Sequence, residues 1–320
     1  MTSPRDEAHL VQVAKLYYEQ DLSQAQIAAR LGTSRSNVSR MLTAAQERGI
    51  VEIRVHERVR RDLSLERALV ERFGLRDAIV ASHVNEVGAR QIDLVGELAW
   101  SWLRDHLVDP MTVAMSWGEA LQAFVAAVTP AVMSGTEVVQ LVGGVSGRAS
   151  FVTSQELVRE FATRIGATYR YFHAPAGFAT VEARRVMTAE PAIAQALAVA
   201  RSAQLAVVGV GSVVAGSSAA ILEAVGASAR ERQAFWAAGP VGNLAGRYFD
   251  AAGAAVRGPL DDRVLGLTLE EIRAIPTVVG IACGADKSGP VLGALTGGLL
   301  DVVVCDATCA GTALARADRA

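Results

Sequence analysis

From residue 77 onward, seven short runs of apolar, largely β-branched residues (77–81, 111–116, 137–143, 169–174, 205–211, 277–283 and 301–306) alternate with stretches of helical spacing. Strands apolar on both faces must be covered on both sides, and strands separated by helices cannot be joined by tight hairpins. The pattern predicts a mostly parallel α/β sheet sandwiched between helices. Helical spacing is read over 92–107, 118–128, 155–165, 191–200 and 244–249. The composition permits such a core, since 51% of residues are hydrophobic while only 5% are aromatic. Ala, Val and Leu must therefore do the packing. A chain of 320 residues also leaves room for a second, smaller domain.

That domain is read at the amino terminus. Residues 22–49 hold two short helical patterns joined at Gly32-Thr33, the spacing of a helix-turn-helix. Ser23 stands at the N-cap of the first with Gln26 as capping-box partner, and Thr33 or Ser34 caps the second. A stripe of Val38, Met41 or Leu42, and Ala45 faces inward. Ser34, Arg35, Ser36, Asn37, Ser39 and Arg40 are left outward, and these side chains suit a DNA major groove: Arg bonds guanine, Asn bonds adenine, Ser bonds phosphate or a base edge. Residues 51–55 alternate like a half-buried strand, so Arg54 is placed on a small wing against the DNA backbone. Leu10, Val13, Ala14 and Tyr17 mark a supporting helix. Charge agrees, because 22–61 carries eight arginines against three acids while the whole chain is −2.

Ligands of open parallel sheets sit beyond the carboxyl ends of the strands. Gln140 to Gly147 ends the third run in a glycine-rich loop whose Gly143, Gly144 and Ser146 are placed to cradle an anion, although glycines there also serve simply as turns. Gly209-x-Gly211 lacks the third glycine of a dinucleotide fingerprint. Lys287 follows the run 277–283, close to a helix start, and suits an anionic group. Asp306 ends the last run, where it can accept sugar hydroxyl hydrogens. Three cysteines and five histidines show no ligand spacing, so no metal and no cofactor are expected. No apolar run is long enough to span a membrane and no leader pattern is evident. A cytoplasmic location follows.

The chain resembles the SorC-type sugar-binding transcriptional regulators. The resemblance rests on Leu16-Tyr17-Tyr18, Leu22-Ser23-Gln24, Ile27-Ala28, Leu31-Gly32, Ser34-Arg35 and Val38-Ser39-Arg40 in the head. In the body it rests on Ser116-Trp117-Gly118, Gln140 with Gly143-Gly144, Ala174-Pro175-Ala176, Val241-Gly242-Asn243, and Gly284 with Lys287. It implies an effector domain of the sugar-phosphate isomerase and CoA-transferase type, a phosphorylated sugar as effector, and a homo-oligomer, usually a tetramer. Asn243 stands where the family commonly has Asp, as a carried-over hydroxyl contact.

These readings divide the chain into a winged helix-turn-helix at 1–57, a linker helix at 58–76 able to pair with its twin, and an effector and oligomerisation domain at 77–320. They predict a regulator whose partners are double-stranded operator DNA, a phosphorylated sugar or polyol, and copies of itself. The alternative is a sugar-phosphate isomerase-like enzyme with a DNA-binding head, for which His173 and Asp286 are the only evident acid–base candidates.

Overall fold

The computed structural model describes residues 4–18, 20, 22–51, 61–82, 89–144, 153–213 and 217–319. Contacts divide the chain into residues 1–58 and 59–320. The first unit holds α1 (Pro4–Tyr18), α2 (Gln24–Leu31) and α3 (Arg35–Glu47). Ser23 caps α2 in a full capping box with Gln26, and Gly32 ends it at φ 63°, a left-handed turn that a Cβ would oppose. Ser34, not Thr33, caps α3 through the Asn37 N–H. Val13, Leu16, Ile27, Ala28, Val38 and Leu42 form the core of the bundle. Residues 52–55 of the expected wing, Arg54 among them, lie outside the described residues.

The larger unit begins with α4 (Leu63–Phe73), β1 (Asp77–Ala81), α5 (Ala89–His106), β2 (Thr112–Met115), α6 (Glu119–Ala127), β3 (Glu137–Gln140), α7 (Ser154–Arg164) and β4 (Thr168–Arg170). It continues with α8 (Val181–Ala189), α9 (Pro191–Arg201), β5 (Leu205–Ser212), α10 (Ser217–Ala224), α11 (Ala229–Ala237), β6 (Gly242–Leu244) and β7 (Arg247–Phe249). It closes with α12 (Leu269–Arg273), β8 (Val278–Ile281), α13 (Ser288–Thr296), β9 (Val302–Asp306) and α14 (Ala307–Ala317).

Seven strands pair in the order β1-β9-β8-β5-β2-β3-β4. Every pairing along that path is parallel. Alternate residues feed two cores: Ala78, Val80, Val303 and Cys305 enter one, Ile79, Ala81, Val302 and Val304 the other. Burial on both faces is why the runs read as continuously apolar. From β2 the chain winds outward to β3 and β4, whereas the strands after β5 lie on its other side. The sheet therefore changes direction between β2 and β5, and this switch opens a crevice at the carboxyl ends.

Two expectations are corrected. Residues 244–249, read as helical, form the antiparallel hairpin β6–β7, because Ala245 (φ 47°) and Gly246 (φ 79°) both turn left-handed between the strands. The helix expected as a linker, α4, belongs to the larger unit: Leu69 is fully buried in its core, and buried Glu66 pairs with Arg61 at 2.7 Å while accepting the Val80 N–H. The Arg61 backbone bridges Ala81, so chain entering the body is fastened to the end of β1.

Candidate functional sites

On α3, the residues inferred to read DNA lie outside the core stripe. At roughly 100° per residue, Arg35, Ser36, Ser39 and Arg40 fall within an arc of about 140° that borders the stripe of Val38, Leu42 and Ala45 on the Arg35 side. All four are exposed, as is Ser34. Asn37 lies on the flank: it is half-buried, and its side-chain nitrogen donates to Thr33 Oγ1 at 2.9 Å, leaving the carbonyl oxygen to face outward contacts. Thr33 thus orients Asn37.

In the larger unit, a cleft of about 680 Å³, open mouth included, occupies the switch between β2 and β5. Its floor and walls come from the ends of three parallel strands: Trp117 to Ala120 after β2, Gly209 to Ser212 at the end of β5, and Ile281 to Cys283 of β8. The β6–β7 hairpin adds Asn243, Ala245 and Gly246, and Ile92 of α5 and Lys287 complete the lining. Gly118, at φ 130°, starts α6 without any side-chain cap, so the first-turn N–H groups of this helix and their positive dipole end open at the cleft. Lys287 Nζ lies 2.8 Å from the carboxylate of Asp286, which is itself exposed.

Of the residues singled out from sequence, Asn243 and Lys287 line this cleft. Gln140 does not. It is fully buried, its nitrogen bonding Val142 O and Ser154 Oγ while its oxygen accepts the Phe172 N–H. Gly143 and Gly144 are not an anion cradle either, because their N–H groups are spent on Leu265 O and Ala174 O. Packing explains these glycines: a Cβ on Gly143 would lie 2.4 Å from the Pro175 carbonyl oxygen. Ser146 lies outside the described residues. Asp306 is buried as the N-cap of α14, accepting from Thr308 and Cys309 and, through its other oxygen, from Gly284 N–H. It holds the Gly284–Lys287 loop in place and is not among the residues that line the cleft.

Trp117, Gly118, Glu119 and the glycines of β5 are the cleft residues that sequence reasoning left out of the site. Their signals were present, a Trp-Gly after one apolar run and Gly-x-Gly in another, but nothing in the sequence says that those runs are neighbours.

Comparison with known proteins decides the family. A model of a sugar-binding domain family matches residues 57–315, and a MarR-family model matches residues 14–62. The deoxyribonucleoside regulator of Bacillus subtilis (strain 168) is 31% identical over 92% of this chain and 94% of its own length. The chain belongs to the SorC family of sugar-binding transcriptional regulators. The sorbitol operon regulator of Klebsiella pneumoniae is 30% identical over 92% of this chain and 94% of its own. The crystal structure of the full-length sorbitol operon regulator SorC from Klebsiella pneumoniae superposes with a TM-score of 0.76 at 28% identity, covering 98% of this chain and 100% of that one.

As a SorC-family member the chain is a regulator with a sugar-binding domain, and the enzyme alternative is set aside because its relatives are transcriptional regulators. Among the described residues that line the cleft, Glu119 is the only carboxylate. His173 is exposed beyond β4, and Asp286 is engaged with Lys287. The Cys283 thiol in the cleft wall is pushed up to about 12, chiefly by burial and then by the charge of Asp306, so it stays protonated and unreactive near neutrality. Among the described residues no group of three or more His, Cys, Asp or Glu is arranged for a metal, and no helix is long and apolar enough to cross a membrane.

Proposed function

We propose that this SorC-family chain is a cytoplasmic homotetramer whose affinity for operator DNA is set by a phosphorylated sugar or polyol bound in the β2–β5 cleft. The observation that carries this reading is the uncapped start of α6 sharing one cleft with Lys287. Helix N–H groups and an ammonium together make a site for a phosphate dianion, and neither suits a neutral sugar alone. Asn243 and Glu119 serve the hydroxyls, and Trp117 offers an apolar wall to the carbon face of the ligand. The relatives' names, a deoxyribonucleoside regulator and a sorbitol operon regulator, support a small polyhydroxylated effector.

The α3 face carries operator recognition: Arg35, Asn37 and Arg40 contact bases or phosphate, Ser34, Ser36 and Ser39 bond the backbone, and Arg54 approaches it from the neighbouring segment. Residues 1–57 form the DNA-binding unit, and 77–320, with α4 packed into its core, the effector and assembly domain. The effector shifts the population of DNA-competent forms only by the difference in its affinity for the two states. A thermal-shift screen of sugar phosphates against their unphosphorylated parents, with operator binding followed by fluorescence anisotropy, tests the reading. A ligand at a hundred times its Kd adds about 2.7 kcal/mol to the folded state and raises the midpoint by several degrees. Equal shifts from sugars with and without phosphate remove the anion site; DNA affinity indifferent to every ligand that binds removes the regulatory link.

A further inference from the structure

Arg247 begins β7, directly after the left-handed pair Ala245-Gly246 that turns the hairpin at the cleft. It is almost completely buried, and its guanidinium meets five acceptors. Nε donates to Leu267 O at 2.9 Å; Nη1 donates to Asp261 O at 2.7 Å and Asp261 Oδ1 at 2.9 Å; Nη2 donates to Val264 O at 3.1 Å and Gly266 O at 3.0 Å. A guanidinium has five N–H bonds, so none remains for a ligand. Everything Arg247 holds belongs to one segment, 261–267.

That segment is itself fastened to the body. Gly266 bridges Val142, Val264 bridges Gly177, and Leu265 O accepts the Gly143 N–H. The hairpin pairs with the sheet through β6 and the last residues of β5, Val210 to Ser212, and β6 also packs on α13. Its tip contains a buried alanine at φ 47°, a conformation that L-residues other than Asn and Asp rarely adopt and that persists only when its surroundings impose it. The tip is also close against Trp117: a Cβ on Gly246 would stand 3.9 Å from the indole Cη2. Displacement of the hairpin would move Asn243 and Ala245 and change the packing beside Trp117.

We infer that Arg247 is a positioning residue of the ligand cleft, clamping the β6–β7 hairpin to segment 261–267 so that Ala245 is kept left-handed and the Trp117–Asn243 wall stands preformed. The inference rests on the cleft being the effector site, and the measurement that decides it is read without any effector. Lysine at 247 retains charge but has three donors and no planar fork, so it can keep the Asp261 pair only by releasing backbone carbonyls.

The full-length chain is labelled with 5-fluorotryptophan and followed by ¹⁹F NMR, with the Trp117 line assigned by W117F. Arg247→Lys is expected to shift or broaden the Trp117 resonance and leave those of Trp100 and Trp102, which pack in the core on the other face of the sheet. Adding Ala245→Gly, which removes the cost of the left-handed turn, is expected to return the Trp117 line toward its original position. Titration with ribose 5-phosphate and glucose 6-phosphate should show about tenfold weaker binding of whichever is tighter in Arg247→Lys, partly rescued by Ala245→Gly. A Trp117 line unchanged by Arg247→Lys, or displaced equally with Trp100 and Trp102, overturns the inference. Should Arg247→Lys fail to fold, Asp261→Asn takes its place with a smaller shift of the same line expected, and an unmoved line has the same meaning. If neither sugar phosphate binds the unmodified chain, the proposed effector fails while the Trp117 measurement still decides the role of Arg247.

Discussion

The two candidate sites are built by different routes. The α3 face is drawn from six consecutive or near-consecutive residues, the N-cap Ser34 and five positions of the helix that follows it. The cleft gathers the ends of β2, β5 and β8, a hairpin and a lysine loop, contributions separated by most of the body's length. In the first, helical geometry alone arranges the functional groups. In the second, side chains become neighbours only because the sheet orders its strands as it does. Substitutions in the head should accordingly act one residue at a time, whereas in the body packing residues far from the ligand should outweigh those touching it.

The largest effect expected is Gly143→Ala. Its methyl would collide with the Pro175 carbonyl, costing about 2–3 kcal/mol and lowering the melting midpoint of the larger unit by about 5–10 °C, with no direct loss of ligand contact. Normal stability with lost effector binding would instead return Gly143 to the ligand site. Next, Lys287→Ala should weaken a sugar phosphate by about 2 kcal/mol, roughly thirtyfold, with DNA affinity in the absence of effector unchanged. Isothermal titration reads this.

Arg40→Ala should cost operator affinity about 1.5 kcal/mol by anisotropy while leaving the melting curve in place, since its side chain is exposed and outside the core. A matching loss of stability would make Arg40 structural. Ser34→Ala should remove about 1 kcal/mol from the head by uncapping α3, measured by circular dichroism on the full chain. The smallest contrast is in acid. The head's capping box uses neutral Gln26, whereas the body's boxes at α7 and α11 use Glu156 and Glu231, whose pKa values are lowered chiefly by backbone hydrogen bonds from Thr153 and Ser228. Carboxylates with depressed folded values contribute stability above the ordinary carboxylate range and lose it as pH falls through the depressed value. Amide exchange at acid pH should therefore rise first at α7 and α11, and an equal rise at α2 would contradict it.

Strand positions were legible because burial on both faces writes itself into composition; 77–81 matches β1 residue for residue, and 205–211 falls within β5. Order along the sheet was not legible. Gly143-Gly144 reads like an anion loop and is a packing requirement, while the uncapped helix start at the cleft follows Gly118, an unremarkable single glycine until its φ is known. The hairpin at 242–249 was missed for a related reason: alanine is a good helix former, and it is the tertiary surroundings that place Ala245 in a left-handed turn. Asp306 and Gln140 illustrate the same point, polar residues at strand ends whose lone pairs and protons turn out to bind the protein itself.

Local periodicity, capping chemistry and motif spacing determined the three-helix head, its outward basic face, the parallel class of the body and the family to which both belong, because those properties depend on residues within a few positions of one another. Which strand ends meet, which polar groups are consumed in building the framework and which remain open to a ligand were decided by tertiary structure alone. A hydrogen-bonding group is available to a sugar only when no nearer partner has taken it, and nearness in a folded sheet is not nearness along the chain.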